Sequence, residues 1–135
     1  MTTSNVNSPG PRILIVDDEP DNRVLFRIML ESGGFVIQTA SDGEEALLSV
    51  VTDPPDAILV DLMMPGMDGC QLTARLKQCS ESEGIPVIML SAMNDSVVRK
   101  RALGSGAVAY VTKPIHRSEL CEQVRNVLRL KERDA

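Results

Sequence analysis

At 135 residues the chain suits one domain, long enough to bury roughly two-thirds of its unfolded surface without a disulfide or metal staple. Apolar residues at 43% and charged residues at 24% describe a globular chain and argue against disorder. Aromatics at 2% and a formal net charge of −5 leave neither stacking platforms nor a basic surface, so direct nucleic-acid binding is not expected.

Arg12 precedes an apolar run, Ile13-Leu14-Ile15-Val16, of strand length and buried type. A helix is predicted from about Pro20, with Leu25, Ile28 and Met29 on its inward face and Gly33-Gly34 as its stop. Phe35 to Ala40 forms a second strand, and Ser41-Asp42-Gly43 turns into a helix whose first turn carries Glu44 and Glu45. Pro54-Pro55 punctuates, and Asp56 to Val60 is a third strand ending at Asp61. A loop from Met63 to Gly69 leads to a helix through about Ser80, with Asp68 as N-cap. Ile85 to Leu90 is the fourth strand, stopping at Ser91, and a helix spans about Asp95 to Leu103. Ala107 to Val111 is the fifth strand, before Thr112-Lys113-Pro114. The last helix, opened by His116, sets Leu120, Val124, Val127 and Leu128 in one stripe.

No apolar run approaches the 18 or so residues of a membrane span, so no membrane association is expected. Met1 to Pro11 is expected to be a flexible tail; without Lys or Arg and without an apolar stretch it is no signal peptide. The three cysteines, Cys70, Cys79 and Cys121, lack a metal-ligand spacing and are expected as reduced, buried thiols of a cytoplasmic protein. Cys70 falls in the first turn of a helix, where a lowered thiol pKa is expected.

Five alternating strand–helix units imply an α/β fold, (βα)5, with crossover connections, a doubly wound parallel sheet and helices on both faces. Working groups in such sheets stand at the carboxyl ends of the strands. There this chain places Asp17-Asp18, Asp61, Ser91 and Lys113. Singly, each has a plain reading: a helix cap, an acceptor of backbone N–H groups, a turn before proline. Together they make a cluster of carboxylates that resists full ionisation unless a cation sits among them, and Mg²⁺ suits such oxygen ligands. Lys113 adds a charge and Ser91 a hydroxyl, which makes a metal-assisted phosphoryl site with a carboxylate as nucleophile.

The strings Ile13-Leu14-Ile15-Val16-Asp17-Asp18-Glu19-Pro20, Asp61-Leu62-Met63-Met64-Pro65-Gly66-Met67-Asp68-Gly69, Ser91-Ala92 and Tyr110-Val111-Thr112-Lys113-Pro114 resemble the receiver domain of bacterial two-component response regulators. The spacings agree with that family: 43 residues from Asp18 to Asp61, 30 to Ser91 and 22 to Lys113. The resemblance covers residues 12–130 and implies a flavodoxin-like five-stranded sheet in the order 2-1-3-4-5. It implies that Asp61 accepts a phosphoryl group from a phosphohistidine on a sensor histidine kinase or histidine phosphotransfer protein. Asp18, Asp61 and the backbone carbonyl of Met63 would hold Mg²⁺ (or Mn²⁺), with Asp17 joining directly or through water. Lys113, Ser91 and the Ala92 backbone N–H would contact the phosphoryl group, and the domain would catalyse its own phosphorylation and dephosphorylation. A cis Lys113–Pro114 bond would aim Lys113 inward, and Pro65-Gly66 and Asp68-Gly69 would shape the loop after Asp61. Tyr110 resembles the switch aromatic, whose ring turns inward when Ser91 is drawn toward the phosphoryl group. That movement would reshape the face of helix four, strand five and helix five for a downstream protein.

Val108-Ala109 stands where the winged-helix transcription-factor subfamily commonly carries acidic residues that pair across a dimer, so that dimer mode is not expected; a monomer or a phosphorylation-dependent dimer is. Arg99-Lys100-Arg101 reads as a solvated face or a docking patch for an acidic partner, and His116 as a surface residue. Met63 and Met93 are expected near the path of attacking water. Residues 131–135 read as a tail or the start of a linker, of a stand-alone receiver or one from a longer regulator or hybrid kinase. A haloacid-dehalogenase-like phosphatase would need Asp-x-Asp after its first strand, and a dinucleotide-binding module GxGxxG there; neither is present. A degenerate receiver acting as a scaffold would show a lost Asp or Lys, and none is lost.

Overall fold

The structure is a computed structural model and describes residues 9–134, with side chains through residue 130. The tail expected over 1–11 lies outside the described residues as far as residue 8, as does residue 135. Five strands, β1 (Arg12–Val16), β2 (Val36–Ala40), β3 (Ala57–Asp61), β4 (Val87–Ser91) and β5 (Ala109–Thr112), alternate with five helices. The helices are α1 (Pro20–Glu31), α2 (Gly43–Thr52), α3 (Gly69–Lys77), α4 (Ser96–Gly104) and α5 (Arg117–Asp134). All strands pair in parallel in the order β2-β1-β3-β4-β5, which is the expected flavodoxin-like topology.

The apolar runs in β1, β3 and β4 follow from burial on both faces of the sheet. Alternate residues serve opposite layers. Leu14, Val16, Ile58, Val60 and Met89 face a core with Ala46, Val50, Leu72 and Leu76 from α2 and α3. Ile13, Ile15, Leu59, Ile88 and Leu90 face the other, with Phe26 and Leu30 of α1 and Leu120, Val124 and Val127 of α5. The apolar stripe expected on the last helix is thus an inward face.

Several local expectations are corrected. Helix α1 buries Phe26 and Leu30, spaced i and i+4, whereas Leu25 and Ile28 are 47% and 61% exposed. Packing against β1 and α5 sets the rotation of α1, and Phe26 is the bulkier filler. Helix α3 ends at Lys77 instead of about Ser80, because Gln78 N–H and Cys79 N–H turn back to Arg75 O and Leu76 O. Strand β4 starts at Val87, since Pro86 offers no N–H to the ladder, although its carbonyl accepts from Ile58 N–H. Residues 131–134, expected as a tail or linker start, continue α5.

Cys70 and Cys121 are buried, but Cys79 is exposed. Burial pushes the Cys70 thiol up and outweighs the nearby Arg101 guanidinium, the reverse of the lowering expected from its place in the helix. Among the described residues no helix is long and apolar enough to cross a membrane.

Candidate functional site

The parallel sheet delivers the chemistry-bearing residues to one edge. Asp17 follows β1, Asp61 and Ser91 are the last residues of β3 and β4, and Lys113 follows β5. Each is pinned through its neighbours' backbone: Asp17 N–H donates to Ala40 O at 3.1 Å, Leu62 N–H to Leu90 O at 2.8 Å and Lys113 N–H to Ser91 O at 2.8 Å.

Lys113 Nζ lies 3.0 Å from Asp61 Oδ1 and 3.8 Å from Asp17 Oδ2. Asp17 and Asp61 are buried, and one carboxylate oxygen from each of Asp17, Asp18 and Asp61 falls within 4.8 Å of the others. Asp17 Oδ1 accepts from the Glu19 N–H at 2.9 Å, and the Arg23 guanidinium donates to the Asp17 carbonyl at 2.7 Å. Asp17 Oδ2 has no hydrogen-bond partner although buried. A buried anionic oxygen left in that condition is costly, and its position among two more carboxylates fits a hard cation with oxygen ligands.

Asp61 has its pKa raised, first by burial and then by Asp17 and Asp18; the Lys113 ammonium works against this without cancelling it. The acceptor candidate is therefore a carboxylate whose charge is only partly compensated by protein groups.

Ser91 is fully buried, and its Oγ accepts from the Met93 N–H at 3.0 Å, which leaves the hydroxyl hydrogen to be donated. The Met93 carbonyl accepts from the Tyr110 hydroxyl. Met93 thus joins the serine to the aromatic. The Tyr110 ring lies inward, 6% exposed, beneath the Arg99 guanidinium at 5.6 Å. Ala92 is exposed and, with Leu25, Phe26, Met29, Lys113 and Ile115, lines a cavity of about 340 Å³ beside the cluster. The Met63 and Met93 side chains are both exposed, and His116 is an exposed residue whose carbonyl accepts from Leu120 N–H.

The loop after Asp61 takes its shape from two glycines. Gly66 has φ +76°, which an L side chain rarely adopts. A Cβ on Gly69 would stand 2.8 Å from the Asp61 carbonyl oxygen and 2.9 Å from Leu62 Cα, so only glycine lets α3 start this close to the end of β3. Asp68 caps α3 through a reciprocal pair with Gln71. The Lys113–Pro114 bond is cis, in agreement with the resemblance.

Sequence reasoning missed Arg23, whose guanidinium supports the Asp17 carbonyl, and Phe26, whose ring centroid lies 5.9 Å from the Lys113 ammonium. It also missed the Arg101–Asp68 ion pair at 2.7 Å. The first two lie on α1, just past the acidic doublet, where a search for second partners of Asp17 could have started; Arg101 stood out only within the Arg99-Lys100-Arg101 patch, and nothing local pointed to Asp68 as its partner.

A model of the response regulator receiver domain matches residues 13–125, and the chain belongs to that family. It is a receiver domain of two-component response regulators. It is 40% identical over 119 residues to the phosphate regulon transcriptional regulatory protein PhoB of Rhizobium meliloti (strain 1021), a match that covers 88% of this chain and 52% of that protein. The chain therefore spans about half the length of that relative. Among solved structures, a putative response regulator from Chloroflexus aurantiacus J-10-fl superposes with a TM-score of 0.85 at 32% identity, covering 89% of this chain and 98% of that one. The chemotaxis protein CheY4 of Vibrio cholerae does so with 0.83 at 26% identity, covering 87% and 98%. Receiver domains bind Mg²⁺ at an acidic pocket and interact with histidine kinases and downstream effectors.

Proposed function

We propose that Asp61 is the phosphoacceptor of this receiver, and that the carrying observation is its buried carboxylate 3.0 Å from Lys113 Nζ beside Asp17 Oδ2, which accepts no hydrogen bond. An Asp61 oxygen attacks the phosphorus of a phosphohistidine on a sensor histidine kinase or a histidine phosphotransfer protein. The phosphorus–nitrogen bond breaks, the imidazole leaves, and an acyl phosphate forms on Asp61. Water later attacks that phosphorus, which releases inorganic phosphate and restores the carboxylate.

Asp17, Asp18, Asp61 and the Met63 carbonyl would hold Mg²⁺, with Mn²⁺ as a substitute. When bound, the ion supplies neutralisation of the charge on the transferring phosphoryl oxygens. Lys113 moves its hydrogen bond from the Asp61 carboxylate to the phosphoryl group, while the Ser91 hydroxyl and the Ala92 N–H donate to it. The Ser91–Met93–Tyr110 connection supports a switch in which those donations alter the face of α4, β5 and α5 that a downstream protein reads. The exposed Met63 and Met93 side chains flank the approach of attacking water. Residues 12–130 are the receiver unit of a cytoplasmic protein that acts as a monomer or a phosphorylation-dependent dimer. Val108-Ala109 places no acidic pair before Tyr110 for cross-dimer bridges.

Intact mass after incubation with acetyl phosphate tests the reading. A single labile phosphoryl adduct is expected, dependent on Mg²⁺ and absent in Asp61→Asn. No adduct on a folded, Mg²⁺-binding chain would leave a scaffold that works through contacts alone or a receiver that depends on its kinase for phosphorylation.

A further inference from the structure

Helix α4 is held to the domain by little packing. Of its nine residues only Ala102 is buried, with Val98 partly packed, whereas α3, also nine residues, buries five. Val97 on α4 is 72% exposed. Besides Ala102 and Val98, two of its arginines tie α4 down. Arg101 Nη2 donates to Asp68 Oδ2 at 2.7 Å, and the Arg99 guanidinium covers the Tyr110 ring.

The Asp68 end of this pair is rigid and close to the chemistry. Asp68 Oδ1 accepts from Gln71 N–H at 2.8 Å, and Gln71 returns a bond to Asp68 N–H at 2.9 Å. The loop that runs from Asp61 to Asp68 is closed at its base by Gly69 N–H on Leu62 O at 2.9 Å. Asp68 therefore presents its second oxygen to Arg101 from a fixed place in the acceptor loop. At its other end α4 is led by Ser91, Ala92 and Met93, the segment that must supply donors to a phosphoryl group on Asp61.

We propose that the Arg101–Asp68 ion pair is a latch that restrains α4 against the acceptor loop and so sets how readily this receiver takes up a phosphoryl group. This rests on the assignment of Asp61, Ser91 and Ala92 above. Movement of the Ser91–Met93 segment toward Asp61 pulls on the start of α4, and the pair resists that movement. By linkage, whatever resists the shift also disfavours the phosphorylated form. Because the pair is partly exposed, its restraint is modest, about twofold to fivefold in an equilibrium.

The test uses Arg101→Gln, Asp68→Asn and the double variant, with Arg101→Lys as the conservative replacement. Asp68→Asn keeps a capping oxygen for Gln71 N–H, so α3 remains capped. Two readouts are followed: amide hydrogen exchange across residues 96–104, and the phosphorylated fraction at fixed acetyl phosphate and Mg²⁺. Each single variant is expected to exchange faster in α4 alone and to reach an about twofold to fivefold higher ratio of phosphorylated to free protein. The double variant should go no further than either single one, and Arg101→Lys should restore both readouts. Unchanged exchange, additive effects, or faster exchange with an unaltered phosphorylated ratio would each overturn the latch. Failure of the parent protein to take up phosphoryl at all would overturn the Asp61 assignment and, with it, the regulatory role of the pair; exchange would then report a tether alone.

Discussion

Asp61 carries a conflict that defines the residue scale. Burial and two neighbouring carboxylates raise its pKa, and the single Lys113 ammonium does not remove the excess negative charge. A carboxyl whose folded pKa is raised lowers stability above that value, and the penalty fades as pH falls through it. In chelator-containing buffer at neutral pH, Asp61→Asn should thus be more stable than the parent in urea denaturation. The advantage should shrink on acidification. Gly69→Ala should act in the opposite sense: its Cβ meets backbone of Asp61 and Leu62, which cannot yield like a flexible side chain, and a loss of about 1–3 kcal/mol is expected from the same denaturation experiment. The residue types at the site were legible in the sequence because carboxylates, a lysine and a hydroxyl at strand ends carry their chemistry with them. Which oxygen lacks a hydrogen bond was not legible, since that depends on Glu19 N–H donating to one Asp17 oxygen while the other has only the Lys113 ammonium at 3.8 Å.

Among the elements, α3 shows how a local signal becomes a stable helix start. Burial alone would raise the Asp68 carboxyl, but the Gln71 N–H and then Arg101 hold it below its ordinary value. A depressed carboxyl adds stability above the unfolded pKa and loses it as pH falls through the folded one. Asp68→Ala should cost about 1 kcal/mol at neutral pH, and the difference from the parent should diminish in acid, as read by urea titration at several pH values. Helix α1 teaches the converse. Its periodicity pointed to Leu25, Ile28 and Met29, yet of these only Met29 packs, in part, against the core, and the sheet and α5 take Phe26 and Leu30. Leu30→Ala is accordingly expected to lose about 2–5 kcal/mol, while Ile28→Ala should stay within about 0.5 kcal/mol in thermal or chemical unfolding. Apolar residues occur on more than one side of α1, so the pattern alone could not choose its inward face.

For the whole molecule, the parallel order β2-β1-β3-β4-β5 matters because it gathers groups from four segments at one edge. A cation that binds the assembled cluster has no such cluster in the unfolded chain, so Mg²⁺ should raise the melting temperature; at a concentration of 100 times its dissociation constant the gain is about 2.7 kcal/mol. Asp17→Asn should blunt that shift, and calorimetry with and without the ion checks it. The sequence by itself determined the alternation of strands and helices and the residues that stand at the strand ends, because hydropathy period and turn chemistry act over a few neighbours. It also carried, through its motif strings, the resemblance from which the strand order followed. Only the tertiary structure decided the rotation of α1, the burial that raises the Asp61 pKa, the Met93 link between Ser91 and Tyr110, and the pairing of Arg101 with Asp68. Each of these depends on the distance between atoms whose residues are far apart in the chain, and that distance exists only once the layers have packed.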